Sequence, residues 1–394
     1  MVVSKRAAVV ALCAVALAWL WQFLTVHYNY GGNWSALFCI APHMPVPDFL
    51  RSENLYIFPG SEGFDGQEYH LIAHDPWMRR GAADAIDGPA IFYQRILVPA
   101  LAWLLALGRD AWIHRAYYAV VLGFVFLGTY WSSRIVARAG LRPEWGLAFL
   151  LTPAALTSID RMTVDVAVAA CVAGFVWYAK EGPSWKIFVL LACAALTKEQ
   201  AVPMIAAYAL YVATRKRFAA AVWMAAATLP TVVWFVYLQH LRPAPPLLFA
   251  MSWIPMAGFF SALAHPAVYP MSPFKSAAGV TFDYVALAGY ALGLVLAARF
   301  AWQRRWTPGA SAAYAFAIAS MALRNPITWR VVYSFGRGLT PMFLLLAFEE
   351  LPEHPWLAAL PMMLIDSRIS LNFVSQVLGV AGGLTGLDTT ALLK

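Results

Sequence analysis

Long apolar stretches recur along this chain, separated by short polar breaks whose charge alternates between purely basic and mixed. The first, Ala7 to about Val26, is long enough to cross a bilayer core of about 30 Å. Lys5 and Arg6 precede it, and Trp19, Trp21 and Phe23 stand where a cleaved leader needs small residues, so an uncleaved anchor is expected. Basic flanks stay in the cytoplasm, which puts the residues from 27 onward outside. A second span is expected from about Ala111 to Ile135, entering the cytoplasm at Arg134, Arg138 and Arg142. Further apolar runs follow at Trp145–Thr157, Val164–Ala179, Ile187–Leu196, Ala201–Val212, Phe218–Leu238, Tyr284–Ala298, Ala310–Ala322, Leu339–Ala347 and Trp356–Ile365. None alternates every second residue as a membrane barrel strand does, so the runs read as helices. Span length gives roughly ten or eleven of them. The expected fold is an all-α integral membrane protein, with residues 1–394 forming a single polytopic domain.

Two regions break the apolar pattern. Residues 27–110 form a large first extracytoplasmic loop, and residues 240–280, rich in Pro and aromatics, form a second. The first loop holds nine acids against five bases, opposite in sign to the chain as a whole. Its segment Ile96–Leu107 is apolar but short, contains Pro99 and is bracketed by Arg95 and Arg109, so it is expected to lie in the outer membrane interface.

Composition agrees with the pattern. Hydrophobic residues make up 61% of the 394 and charged residues 12%, with a mean hydropathy of +0.64. Soluble domains carry roughly 25% charged residues. The net charge of +8 sits largely in cytoplasmic clusters such as Arg215-Lys216-Arg217, where it sets orientation; no nucleic-acid partner is expected. The bilayer itself is the first partner. Cys13, Cys171 and Cys193 fall in expected spans and Cys39 stands alone in a loop, a spacing that suggests neither a disulfide nor a zinc site.

The densest chemistry lies in the first loop, where Asp65, Glu68, His70, His74 and Asp75 share one short run. Gly63 and Gly66 flank Asp65 and allow a tight turn that exposes its carboxylate. The spacing from Gln67 to His74 suits a short helix. A solvated loop with a capped helix explains such a run equally well when it is taken alone. Further mixed groups fall on the same expected face: Asp160/Arg161/Asp165, Lys198/Glu199 and Arg324/Arg330/Arg337. Caps and local ion pairs explain each separately; together they suggest a site. A carboxylate there can take the proton of an acceptor hydroxyl. Arg and Lys can hold a phosphate and stabilise it as it leaves. His70 and His74 stand at i, i+4, a spacing that can hold zinc, but no third ligand is evident. No metal is therefore assigned, and a divalent cation remains only a possible cofactor.

Four short runs carry a family resemblance: Gly63-Phe-Asp-Gly-Gln-Glu-Tyr69 continuing to Ile72-Ala-His-Asp75-Pro, then Tyr93-Gln-Arg-Ile-Leu-Val-Pro-Ala-Leu-Ala-Trp103, and later Ala195-Leu-Thr-Lys-Glu-Gln200 and Phe335-Gly-Arg-Gly-Leu-Thr-Pro341. With them the chain resembles the polyprenol-phosphate-dependent membrane glycosyltransferases of the GT-C superfamily, in particular bacterial cell-surface glycopolymer and mannosyltransferase-like members. The resemblance implies a bacterial inner-membrane enzyme with its active site outside the cytoplasm. Its donor would be a polyprenyl-phosphate-linked sugar and its acceptor a hydroxyl of a glycan, lipid or protein, with inversion at the sugar. It implies Asp65 as catalytic base. It places Lys198, Glu199 and Arg337 at the lipid-phosphate and sugar site; Gln67, Glu68, Tyr69, Asp75, Arg95, Asp160 and Arg330 are further candidate substrate contacts. Some relatives carry a second acid beside the first; here Gly66 follows Asp65, and Glu68 or Asp75 would have to supply it. The alternatives are a transporter or flippase of a lipid-linked saccharide, expected to show inverted repeats and mid-membrane charges, and a non-catalytic subunit of a polysaccharide-export complex.

Overall fold

A computed structural model describes residues 2–243, 252–324 and 326–387. Among them every regular element is helical, with one isolated bridge between Ile40 and Ile57. The helices are α1 (Val2–Asn29), α2 (Asp65–His74), α3 (Pro89–Gln94), α4 (Leu97–Leu105), α5 (Asp110–Arg138), α6 (Pro153–Arg161), α7 (Asp165–Ala179), α8 (Trp185–Thr197) and α9 (Val202–Thr214). They continue as α10 (Phe218–Ala225), α11 (Leu229–Leu241), α12 (Ala257–Ala264), α13 (Pro273–Trp302), α14 (Pro308–Met321), α15 (Pro326–Arg330), α16 (Val332–Glu350), α17 (Pro355–Leu371) and α18 (Val374–Thr385).

Among the described residues, α1, α5, the run Phe218–Leu241 and α13 are long and apolar enough to cross a membrane. The pair α17 and α18, bent by 59° at its break, passes the same test together. The outward faces of these helices are apolar: Val9 and Leu12 on α1, Val222 and Val233 on the 218–241 run, and Val295 on α13 are all exposed. Exposed apolar surface repeated on this scale calls for a covering, and a bilayer supplies it. The chain is thus an all-helical protein of multi-pass membrane character.

The ten or eleven spans expected from the sequence meet a mixed outcome. Helices α7, α8, α9 and α14 are 15, 13, 13 and 14 residues long. At 1.5 Å per residue they reach roughly 20–22 Å, short of the hydrocarbon core. The run Trp145–Thr157 is not one helix. A 3₁₀ turn over Pro143–Leu151 ends at Thr152, and α6 starts at Pro153, where a proline needs no N–H partner. The Thr152 hydroxyl accepts the Ala155 N–H at 3.3 Å and caps the new helix. Helix α13 begins at Pro273, well before the expected Tyr284, because its polar first turns continue the same helix. Of the expected 240–280 loop, residues 244–251 lie outside the described residues.

The core is built around α7. Every residue of α7 but Tyr178 is buried, as expected for a helix apolar on all sides. It packs between α5, α8 and α16, while α1 lies against α5 and α17 against α13 and α16. Residues 30–109 fold over one end of this bundle, with α2 packed on α4 and α5.

Candidate functional site

The site forms where helices start and stop. Asp65 opens α2, preceded by Phe64 in extended conformation. Gly63 takes φ +78°, a region that side chains disfavour. Gly66 has a different role from the flexible turn expected of it. It lies inside α2, and a Cβ there would sit 2.1 Å from the Arg161 carbonyl oxygen and 3.0 Å from that of Phe38. Glycine at 66 lets α2 press onto the end of α6, and this contact fixes where Asp65 points.

Asp165 stands in the first turn of α7, and Lys198 ends α8 in extended conformation. Arg337 lies in the second turn of α16. Pro341 has no N–H to offer the carbonyl four residues back, which is that of Arg337. These ends meet. Arg337 Nη2 donates to Asp65 Oδ2 at 2.5 Å, and its Nη1 lies 3.4 Å from Asp165 Oδ2. The other Asp165 oxygen accepts from Lys198 Nζ at 2.6 Å. The Arg337 guanidinium also lies over the Phe64 ring, 4.9 Å from its centre, and its Nε is buried with no hydrogen-bond partner. Next in sequence to Lys198, Glu199 pairs with Arg95 through two contacts of 2.9 and 3.2 Å, and Arg95 reaches the Tyr69 hydroxyl at 3.2 Å. Three acids (Asp65, Asp165, Glu199) thus stand among three bases (Arg95, Lys198, Arg337). Asp165, Lys198 and Arg337 are nearly inaccessible, whereas the Asp65 side chain keeps 22% of its surface and Glu199 30%. The buried pairs tie α2, α7, α8 and α16 together. The two half-open carboxylates are the groups a solute can reach.

Beside this cluster runs a groove of about 190 Å³. Gln94, Ala195, Thr231, Val232, Trp234 and Phe235 line it, and Glu199 supplies the charge in its wall.

The sequence-derived site residues divide into three groups. Asp65, Tyr69, Arg95, Lys198, Glu199 and Arg337 come together as described. Gln67 and Glu68 lie just behind: Gln67 accepts the Ala41 N–H at 2.9 Å and donates to Glu68 at 3.3 Å. Burial raises the Glu68 carboxyl to about 7; the Gln67 hydrogen bond opposes this, and the Asp65 and Asp87 charges add to it. Asp75, Asp160 and Arg330 lie in other settings. Both Asp75 oxygens accept backbone N–H groups, from Arg79 at 2.7 Å, Arg80 at 2.8 Å and Ala82 at 3.3 Å, so Asp75 holds the turn after α2. Asp160 is buried against Arg161 at 2.9 Å, and Arg161 reaches the Cys39 sulfur. Arg330 lines a separate small pocket with Asp283 and Trp329. Of the two acids that were candidates to accompany Asp65, Glu68 is the one without a backbone role.

The candidate substrate contacts leave out Asp165, which the sequence grouped only with Asp160 and Arg161 and which joins Lys198 to Arg337. Its signal was a charge at the edge of an apolar run, where it is costly without a partner. The set also omits Glu53, Asp110 and His114, which surround His70 and His74 on the far side of α2. Burial holds the His70 ring well below its usual range, with neighbouring His114 and His74 adding to the effect, so the imidazole is neutral. The available signal was a second helical i, i+4 pair, Asp110 and His114, but nothing in the spacing says that two such pairs face each other.

Comparison with known protein families, curated proteins and solved structures finds no match to this chain.

Proposed function

We propose that the chain is a membrane glycosyltransferase. In this reading it moves a sugar from a polyprenyl-phosphate-linked donor to a hydroxyl of a glycan, lipid or protein on the extracytoplasmic face of a bacterial inner membrane. The observation that carries the reading is the convergence of Asp65, Arg337, Asp165 and Lys198 from four helices, with Arg95 and Glu199 beside an apolar groove. Charge-assisted donors suit a phosphate, the groove suits a prenyl chain, and a half-open carboxylate suits a base. The resemblance of residues 63–76, 93–103, 195–200 and 335–341 to GT-C enzymes points the same way. It brings with it the large first outer loop and the larger number of spans.

Entry of the donor phosphate would have to open the buried pairs, drawing the Arg337 guanidinium away from Asp65 and the Lys198 ammonium away from Asp165. The freed Asp65 carboxylate accepts the proton of the acceptor hydroxyl as that oxygen attacks the anomeric carbon. The bond from that carbon to the phosphate oxygen breaks on the opposite side, which inverts the configuration. Polyprenyl phosphate leaves with the bonding pair, its negative charge held by the two cations. The proton on Asp65 returns to solvent. Glu68, whose carboxyl burial raises to about 7, would be the next group to receive that proton.

Mass spectrometry of surface glycans and polyprenyl-linked sugars from cells with and without the protein tests this reading. The expected result is one sugar missing from the glycan, with its polyprenyl phosphate form accumulating. Identical profiles would sink the assignment.

A further inference from the structure

On the side of α2 away from Asp65, four donor side chains converge. His70 Nε2 lies 2.6 Å from His114 Nε2 and 3.2 Å from His74 Nε2. The Glu53 carboxylate lies 2.9 Å from His114 Nε2 and 3.7 Å from His74 Nε2. One ligand atom from each of the four falls within 4.8 Å of all the others. We propose that Glu53, His70, His74 and His114 form a structural zinc site that clamps the first loop and α2 onto the start of α5.

Proton counting favours a cation at the centre. Asp110 accepts from His74 Nδ1 at 2.8 Å, which fixes the tautomer and leaves a lone pair on Nε2. That lone pair points at His70 Nε2, which faces His114 Nε2 as well. One proton on His70 Nε2 can serve one of these neighbours and leaves the other lone pair opposed. A metal ion accepts all three lone pairs at once. Glu53 Oε2 is buried and makes no well-directed hydrogen bond despite its closeness to His114. It supplies the fourth, anionic donor.

The surroundings fit the same ion. Asp110 is held by both terminal nitrogens of Arg80, each at 2.8 Å, so a fixed carboxylate orients His74. Carboxylate–histidine–metal arrangements of this kind are the usual support for a ligating imidazole. Phe38 stacks on His70 at 4.4 Å and Phe49 on His74 at 5.7 Å, shielding the rings from water. Three imidazoles and one carboxylate suit zinc: tetrahedral bonds of about 2.0–2.1 Å set the ligand atoms roughly 3.3 Å apart, so His114 opens from His70 (2.6 Å) and from Glu53 (2.9 Å) while Glu53 closes on His74 (3.7 Å). With four protein donors the site is closed, which marks it as structural. It stands independently of sugar transfer.

The test uses the full chain, purified in detergent through an affinity tag other than polyhistidine. Elemental analysis should find close to one zinc per chain. Chelation should lower the thermal midpoint, and added zinc should restore it. Cobalt(II) in place of zinc should show the intense visible bands of a tetrahedral ion, lost in His114→Gln and in Glu53→Gln. Asp110→Asn should bind zinc about 10–100-fold more weakly. The chelation series on the wild-type chain decides the matter even where a variant fails to fold. A thermal midpoint indifferent to both chelator and zinc would overturn the site. So would zinc retained in full by a folded His114→Gln, which would show an adventitious ion only.

Discussion

At the scale of single residues, Asp65 and Glu68 have opposite expected behaviour. Asp65→Asn keeps the shape and removes the base. Turnover of purified protein should fall by about 10²–10⁴-fold, with little change in donor affinity, because an amide still fills the space. A folded Asp65→Asn with near-normal turnover would pass the role of base to Glu68. For Glu68 the readout is stability against pH. Burial raises its carboxyl in the folded state to about 7, above the unfolded value of 4.5. Between those values the folded chain holds the proton more often than the unfolded chain, so stability contributed by this group is present at low pH and lost as pH rises towards and through about 7. Thermal midpoints of wild type and Glu68→Gln, measured from about pH 5 to 8, should therefore diverge, with wild type losing ground at the alkaline end. Parallel curves would mean that Glu68 is solvated.

At the scale of elements, the site depends on how helix ends are placed. Gly66→Ala puts a methyl group against the Arg161 carbonyl. Overpacking of this kind costs about 1–3 kcal/mol, so a lower melting temperature should accompany loss of activity through a displaced Asp65. Arg337→Lys is the informative change in α16. Alanine would leave the buried Asp165 with Lys198 alone and break the pair with the half-open Asp65; breaking a buried pair typically costs about 3–5 kcal/mol in stability. Lysine keeps the charge but cannot span Asp65 and Asp165 with two nitrogens. Donor binding measured by native mass spectrometry should weaken by about 1.5–3 kcal/mol, the scale of a charge-assisted hydrogen bond; unchanged binding would make Arg337 a purely structural ion-pair partner. Much of this level was legible in the sequence. The short helix through 67–74 and the apolar cores of α5, α7 and α8 follow from runs of like residues. The broken stretch at Thr152-Pro153 was missed because apolarity masked the proline signal. The pairing of His70/His74 with His114 and Glu53 was not legible, since it depends on how α2 lies across α5, and contacts between distant segments leave no mark on spacing. Asp75 was read as chemistry because a carboxylate that caps a turn looks the same in sequence as one that meets a substrate.

At the scale of the whole molecule, sidedness comes first. The expectation from charge distribution is that Arg142 and Arg217 face the cytoplasm and Asp84 and Lys275 the outside. Reporter fusions at these four positions should follow that order; Asp84 found in the cytoplasm would put the cluster on the wrong face for the proposed chemistry. The fold then places α2 and the ends of α7, α8 and α16 together at one end of the bundle, beside the groove at Glu199. The decisive measurement is transfer itself. Protein in nanodiscs is given the polyprenyl-linked sugars and the glycan acceptors extracted from cells lacking it, and release of polyprenyl phosphate is followed by mass spectrometry. Sugar transfer from the donor pool with matching polyprenyl phosphate release, abolished or slowed by about 10²–10⁴-fold in Asp65→Asn, is the predicted result. No release by the folded wild-type protein, or equal release by Asp65→Asn, would contradict it.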